Sequence, residues 1–118
     1  MANRLMMKGK IVLVPFPFDD LSATKLRPAT CLTNPVGGRR QVILAYITSR
    51  IPLTVLNTDI LLEPGHPDFV SSGLRQSSAV RLHYLITVSA VVIQRVLGEL
   101  SSETQAQISK KLCKFLQA

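Results

Sequence analysis

Long apolar runs are missing from this 118-residue chain. The longest uncharged apolar stretch, around Leu85 to Ile93, is about half of the ~20 residues that a bilayer-spanning helix needs, which argues against a membrane helix. Near the N-terminus the apolar stretch Ile11 to Val14 stops at Pro15, too short for the core of a secretory signal, and no small-residue cleavage site follows. A soluble, cytoplasmic protein is expected. Cysteine is scarce: Cys31 lies in an apolar run and Cys113 in the last segment, so there is no disulfide framework, and both read as buried thiols of a reducing compartment. A phosphate-cradling glycine loop, a nucleophile elbow and a zinc framework are all absent. His66 and Asp68 of "HPD" have no metal-ligand spacing around them, so neither a metal nor another cofactor is expected.

Acidic residues are also few. Seven Asp and Glu stand against fourteen Lys and Arg, a net charge of +7 with a pI near 10.0. That balance favours polyanionic partners: nucleic acid, an acidic protein or an anionic membrane surface. The chain is nonetheless 47% hydrophobic and 18% charged, apolar enough to fold, and its length suits one domain over residues 1–118. A mean hydropathy of +0.27 in so short a chain suggests that some apolar surface meets a partner or a second copy.

Apolar patterning gives short strands. Ile11–Val14 ends at Pro15 and is followed by a loop over residues 15 to 26. Ala29–Thr33 is stopped by Asn34-Pro35, and "GGRR" at 37–40 closes a hairpin onto Gln41–Thr48, the clearest strand. Asp59–Leu62, Ser78–Leu82, Leu85–Val88 and Val91–Leu97 read as further strands, with a polar connector over 68 to 76. Only the tail reads as a long helix: Ser102 as cap with Gln105 in a weak capping box, Glu103 early, Lys110, Lys111 and Lys114 late, and one apolar stripe of Ile108, Leu112, Phe115 and Leu116. The expected class is mainly β: a small, bent antiparallel sheet, near-closed as a barrel, with a C-terminal helix.

The stretch "PFPFDDLSATKLRPATCL" (15–32) places cations where a polar loop re-enters an apolar strand. Pro28 restricts the backbone of Arg27 to extended geometry, so its guanidinium leaves in few directions, and it can grip two phosphate oxygens at once. A surface arginine before a strand-opening proline is the plain alternative.

The fragments "GKIVLVPFPFDD", "KLRPATCLT", "VILAYITSR" and "SSAVRLHYL", in that order, with "VIQRVLGELS" and the final helix, resemble the MazF/PemK family of type II toxin–antitoxin toxins, which share the CcdB-like fold. The likeness runs from Lys8 onward. It implies an SH3-like barrel, a homodimer and a metal-independent ribonuclease that cuts single-stranded mRNA at short sequences. It also implies inhibition by an antitoxin whose acidic tail occupies the RNA groove. Metal-free cleavage turns the 2′-hydroxyl onto its own phosphate, so a site must take a proton, stabilise phosphorane charge and return a proton to the leaving oxygen.

By the same resemblance Arg27 matches the catalytic arginine and Thr48, at a strand end, a second active-site residue. Arg81 matches an arginine that some members follow, two residues later, with an aspartate; here His83 stands there, and alternation puts both on one strand face. A histidine can exchange protons near neutrality, although a lone one is more often a structural hydrogen bonder. Other members carry a glutamate five residues before the arginine, where this chain has Ser22, so Asp19 and Asp20 are held in reserve as bases. Lys25, Arg50 and Arg75, with Asp20 in the same loop as Lys25, are the candidate RNA contacts. The rival is a non-catalytic toxin of this fold that binds a protein such as DNA gyrase, for which Arg27 and Thr48 would not be needed together.

Overall fold

A computed structural model describes residues 6–16 and 25–118. Within them the apolar runs become six strands: β1 (Lys10–Phe16), β2 (Lys25–Cys31), β3 (Gln41–Thr48), β4 (Asp59–Leu62), β5 (Ser78–Ser89) and β6 (Arg95–Glu99). A short helix, α1 (Phe69–Ser72), precedes β5, and a long one, α2 (Ser102–Gln117), follows β6. The strands form one antiparallel sheet in the order β4-β5-β3-β2-β1-β6. The fold is mainly β, a curled half-barrel with a C-terminal helix, as the patterning leads one to expect.

Two irregularities curl the sheet. Tyr46 and Ala45 are neighbours on β3, yet their partners on β5 are Arg81 and Leu85. Leu82, His83 and Tyr84 are surplus, and such an excess bends a ladder and strengthens its twist. The two strands expected over 78–82 and 85–88 are therefore one strand, bent where the sequence suggested a break. On β1 the partners of Ile11 and Val12 are Gly98 and Val96, which leaves Leu97 surplus. The curl gives both sheet faces a core. On one, Ile11, Ile47, Leu62, Val80 and Leu82 pack with Leu100, just before α2, and with Ile108 of α2. On the other, Val12, Val14, Ala29, Cys31, Val42 and Leu44 pack together. Burial on both faces explains why these strands read as near-continuous apolar runs.

Other boundaries shift for local reasons. β2 starts at Lys25, well before Ala29, and stops at Cys31. Pro28 fits inside it because the ladder to β3 begins only at Ala29, so proline sits beside an unpaired stretch. Val91 lies in a 3-10 turn over Ala90–Val92, capped by Ser89 Oγ, which accepts from the Val91 amide at 3.4 Å; the strand expected there starts at Arg95. Cys31 is buried, which pushes its thiol up to about 12, but Cys113 lies off the apolar stripe and is exposed.

Ser101, one residue earlier than expected, caps α2: its Oγ accepts from the Thr104 amide at 3.3 Å. Gln105 instead donates to the Leu100 carbonyl at 2.9 Å. Asp68 ties this start to α1, accepting from the Ser101 amide at 2.9 Å and the Ser101 hydroxyl at 3.0 Å. The His66 Nδ1 accepts from the Asp68 amide at 3.0 Å, so "HPD" is a local brace. No helix among the described residues is long and apolar enough to cross a membrane.

Burial would raise the Asp68 carboxyl, but hydrogen bonds from Thr104 and Ser101 and the charge of His66 outweigh it and hold the group below its usual value. With a lower pKa folded than unfolded, Asp68 contributes stability in full above the unfolded value and loses it as pH falls through the folded one. Asp68→Ala is expected to lower stability by about 1–3 kcal/mol at pH 7 in urea unfolding. That difference should narrow below about pH 4.

Candidate active site

Antiparallel pairing decides what meets at the open end of the β2–β3 pair. The ladder matches Cys31 with Leu44, Thr30 with Ala45 and Ala29 with Tyr46. Carried two residues further, the same register sets Arg27 opposite Thr48. Alternation puts Lys25, Arg27, Ala29 and Cys31 on one face of β2, and Val42, Leu44, Tyr46 and Thr48 on the matching face of β3. That face is core at one end, where Ala29, Cys31, Val42 and Leu44 are buried. At the other end it opens into a cleft of about 540 Å³.

Lys25, Arg27, Thr48, Arg50 and Arg75 all line this cleft. Four of them are cations, and no Asp or Glu is among the described residues that line it. Concave walls of low dielectric focus such a charge set and draw anions in. The Arg50 amide donates to Thr48 Oγ1 at 3.0 Å. That bond occupies a lone pair of the hydroxyl and leaves its hydrogen to be donated elsewhere. Tyr46 adds an aromatic wall, its ring 5.0 Å from that of Tyr84 and tilted by 46°. A cleft with guanidinium groups, a hydroxyl donor and an aromatic face can hold a phosphodiester and the base beside it.

The family model described as PemK-like, MazF-like toxin of type II toxin–antitoxin systems matches residues 7–116. The chain belongs to this toxin family. Among solved structures, the chain is similar to an endoribonuclease in complex with its cognate antitoxin from a mycobacterial species, at 16% identity and a TM-score of 0.68, over 94% of each chain. It is also similar to the Mycobacterium tuberculosis toxin MazF-mt6, at 21% identity and a TM-score of 0.67, over 92% of this chain and 96% of that one. At such identities the likeness establishes a MazF-like fold. Nothing among curated protein sequences matches the chain.

In this MazF-like chain the expected site residues fall into three groups. Arg27, Thr48, Lys25, Arg50 and Arg75 meet in the cleft. Asp20, with Asp19 and Ser22, lies outside the described residues. Neither Arg81 nor His83 is among the described residues that line the cleft, and His83 falls in the surplus stretch where alternation lapses: Leu82 packs in one core and Tyr84 against the other. Arg81 Nε donates to Asp59 Oδ1 at 3.0 Å, and the Asp59 side chain has no exposed surface. His83 Nδ1 is 2.8 Å from Thr58 Oγ1, and the Leu82 amide donates to the Thr58 carbonyl. The second Asp59 oxygen accepts from the Leu56 amide at 2.9 Å. These contacts brace the end of the β3–β4 connection. Tyr46 is a cleft residue that sequence reasoning passed over, although its place two residues before Thr48 was a usable signal.

Removing Arg81 would leave the Asp59 carboxylate buried without its ion pair. Breaking a fully buried pair costs about 3–5 kcal/mol, and Arg81 keeps some contact with solvent, so Arg81→Ala is expected to destabilise the fold by about 2–3 kcal/mol. Chemical denaturation measures this directly, and a loss under about 0.5 kcal/mol would mean that the pair does not hold the connection.

Proposed function

We propose that the protein is the toxin of a type II toxin–antitoxin pair and acts in the cytoplasm as a sequence-selective endoribonuclease on single-stranded RNA, without a metal. One observation carries the proposal: Arg27 and Thr48, across the open end of one strand pair, line a cleft with three further cations and no carboxylate among the described lining residues. Such a cleft suits a backbone carrying one negative charge per nucleotide. Fold relatives described as endoribonucleases, one of them with its cognate antitoxin, support the activity and the partner. A homodimer is part of the same reading, supported by exposed apolar residues such as Ile43 and Leu85 on the paired strands β3 and β5.

In this mechanism the 2′-oxygen forms a bond to phosphorus as the bond to the 5′-oxygen breaks. The 2′-hydroxyl proton passes to a base, and the departing 5′-oxygen gains a proton. The guanidinium of Arg27 carries the extra negative charge that gathers on the phosphoryl oxygens, where a fixed cation acts most strongly. The Thr48 hydroxyl donates to one of those oxygens and fixes the phosphate relative to Arg27. Lys25, Arg50 and Arg75 hold neighbouring phosphates. Asp19 and Asp20 are the carboxylates to test as the base, by the pH dependence of their Asn variants. Arg81 and His83 act as positioning residues that brace the β3–β4 connection.

Incubation with a long RNA in EDTA is expected to give fragments with 5′-hydroxyl and 2′,3′-cyclic phosphate ends. Deoxyribose at the cut nucleotide should abolish cleavage. Arg27→Ala should lower the rate at least 100-fold, in line with the loss of one oxyanion-stabilising group, while His83→Ala stays within about five-fold of the parent. RNA that survives a folded, dimeric preparation would refute the enzyme. Growth arrest that persists with Arg27→Ala would favour a protein target instead.

Binding of a non-cleavable 2′-O-methyl RNA should weaken with salt, with a slope of log K on log salt near −3, from about 0.7 per phosphate for four cations. Arg75→Ala should reduce that slope by about 0.7, read from fluorescence anisotropy.

A further inference from the structure

Besides the ends of β2 and β3, the cleft is lined by Leu74, Arg75, Gln76 and Ser78, from the segment that joins α1 to β5. This segment is pinned at both ends. Gly73 closes α1 in the left-handed region, and a Cβ there would collide with the Leu97 carbonyl oxygen, so the helix end sits directly on the backbone of β6. Leu74 packs against the core, and its amide donates to the buried Ser72 Oγ at 3.2 Å. At the other end the buried Ser78 hydroxyl donates to the Gln76 carbonyl at 2.8 Å. Between Leu74 and Ser78 the chain bends, and Arg75 and Gln76 are exposed at the bend.

Gln76 carries the one carboxamide among the described residues that line the cleft. The cations and hydroxyls around it suit phosphate and ribose oxygens, contacts that position RNA without reading its sequence. A carboxamide presents a donor and an acceptor side by side in one plane, which complements an adenine edge, where N6 donates and N7 accepts. Its place in the cleft is right for this task. Gln76 lies three residues before Ala79, the cross-strand partner of Thr48. Three residues of extended chain span at most about 11 Å, so the carboxamide stays within reach of a base flanking the phosphate that Arg27 and Thr48 would hold. Tyr46, on the same face of β3 as Thr48, gives the cleft a ring on which a splayed base can stack while its edge is read. A glutamine on a loose loop would be solvated surface; here the backbone under it is fixed at both ends, so less freedom is lost when the side chain binds.

We propose that Gln76 is a specificity-determining residue whose carboxamide pairs with an adenine base at one fixed position of the RNA, presented by the arch between Leu74 and Ser78. The proposal rests on the ribonuclease reading above and adds which base the cleft selects and through which atoms. Gln76 Oε1 accepts from adenine N6, and Nε2 donates to N7. A good pair of this kind discriminates against other bases by about five- to 150-fold. Lys25, Arg27, Arg50 and Arg75 attract any RNA, because they meet its backbone; Gln76 makes the choice among sequences.

The test has two arms, each run on the parent, Gln76→Ala, Gln76→Glu and Arg75→Ala. Both substituted positions are exposed, and thermal melting verifies that the variants fold. In one arm a long RNA of mixed sequence is cut and the fragment ends are sequenced. In the other a pool of 2′-O-methyl RNAs with eight randomised positions is selected by binding and sequenced, which needs no cleavage. We expect the parent to select adenine at one fixed position in both arms. Gln76→Ala should lower that preference at least five-fold and keep the preferences at other positions. Gln76→Glu should move it to cytosine, whose N4 amino group donates to a carboxylate. Arg75→Ala should weaken all sequences alike, as a phosphate contact does. Preferences are compared within each variant, so the charge added by glutamate cancels. A parent without an adenine preference, or one that Gln76→Ala retains, would overturn the proposal. So would an equal loss at every position in Gln76→Ala, which marks a backbone contact. Adenine selected in the binding arm by a protein that leaves RNA intact would refute the nuclease alone.

Discussion

The constraint on which the site depends is the pairing register of β2 with β3. Side chains alternate between sheet faces, so a slip of one residue would exchange every inward group for an outward one. The register is held by the core at its closed end, where Ala29, Cys31, Val42 and Leu44 are buried on one face. Those apolar contacts decide, at a distance of two to four residues, that Arg27 and Thr48 arrive on the same side of the sheet. Pro28 then limits the backbone just as the strand leaves its partner. Rigid strands aim the functional groups, and β3 stays paired with β5 as far as Thr48 and Ala79, at the edge of the cleft.

Two arginines on the strands either side of β3 show how context separates roles. Arg81 faces a fully buried carboxylate, and its charge serves to neutralise Asp59. Arg27 lines a cleft in company with three more cations. Gathering like charges opposes folding, and cores on both faces of the sheet must offset it. An anion entering the cleft would relieve the same repulsion.

Much of the fold was legible in the sequence. β3 and β4 were readable to the residue because each is a short, mostly apolar run bounded by turn-forming residues. The cleft residues were legible through ordered fragments that resemble one family, and not through any single motif. What failed to show has physical reasons. The continuity of β5 across His83 depends on which residues of β3 it faces, a non-local fact. The engagement of Arg81 depends on Asp59, 22 residues away, and on the β4–β5 register. Ser101 and Ser102 are both good caps in isolation; the hydrogen bonds of Asp68 select the first. Tyr46 looked like an ordinary strand aromatic because its exposure follows from where the ladder ends.

Whether Arg27 and Thr48 act on one phosphodiester is the central question, and a double-mutant cycle on RNA cleavage addresses it most directly. The quantities are kcat/KM for the parent, Arg27→Ala, Thr48→Val and the double variant on one single-stranded RNA. Groups that act as a unit give non-additive losses. Convergence predicts that the double variant loses at least ten-fold less than the product of the two single losses, a coupling of about 1.4 kcal/mol or more. Losses that multiply to within two-fold would contradict it and leave the two side chains as independent neighbours in a cationic cleft.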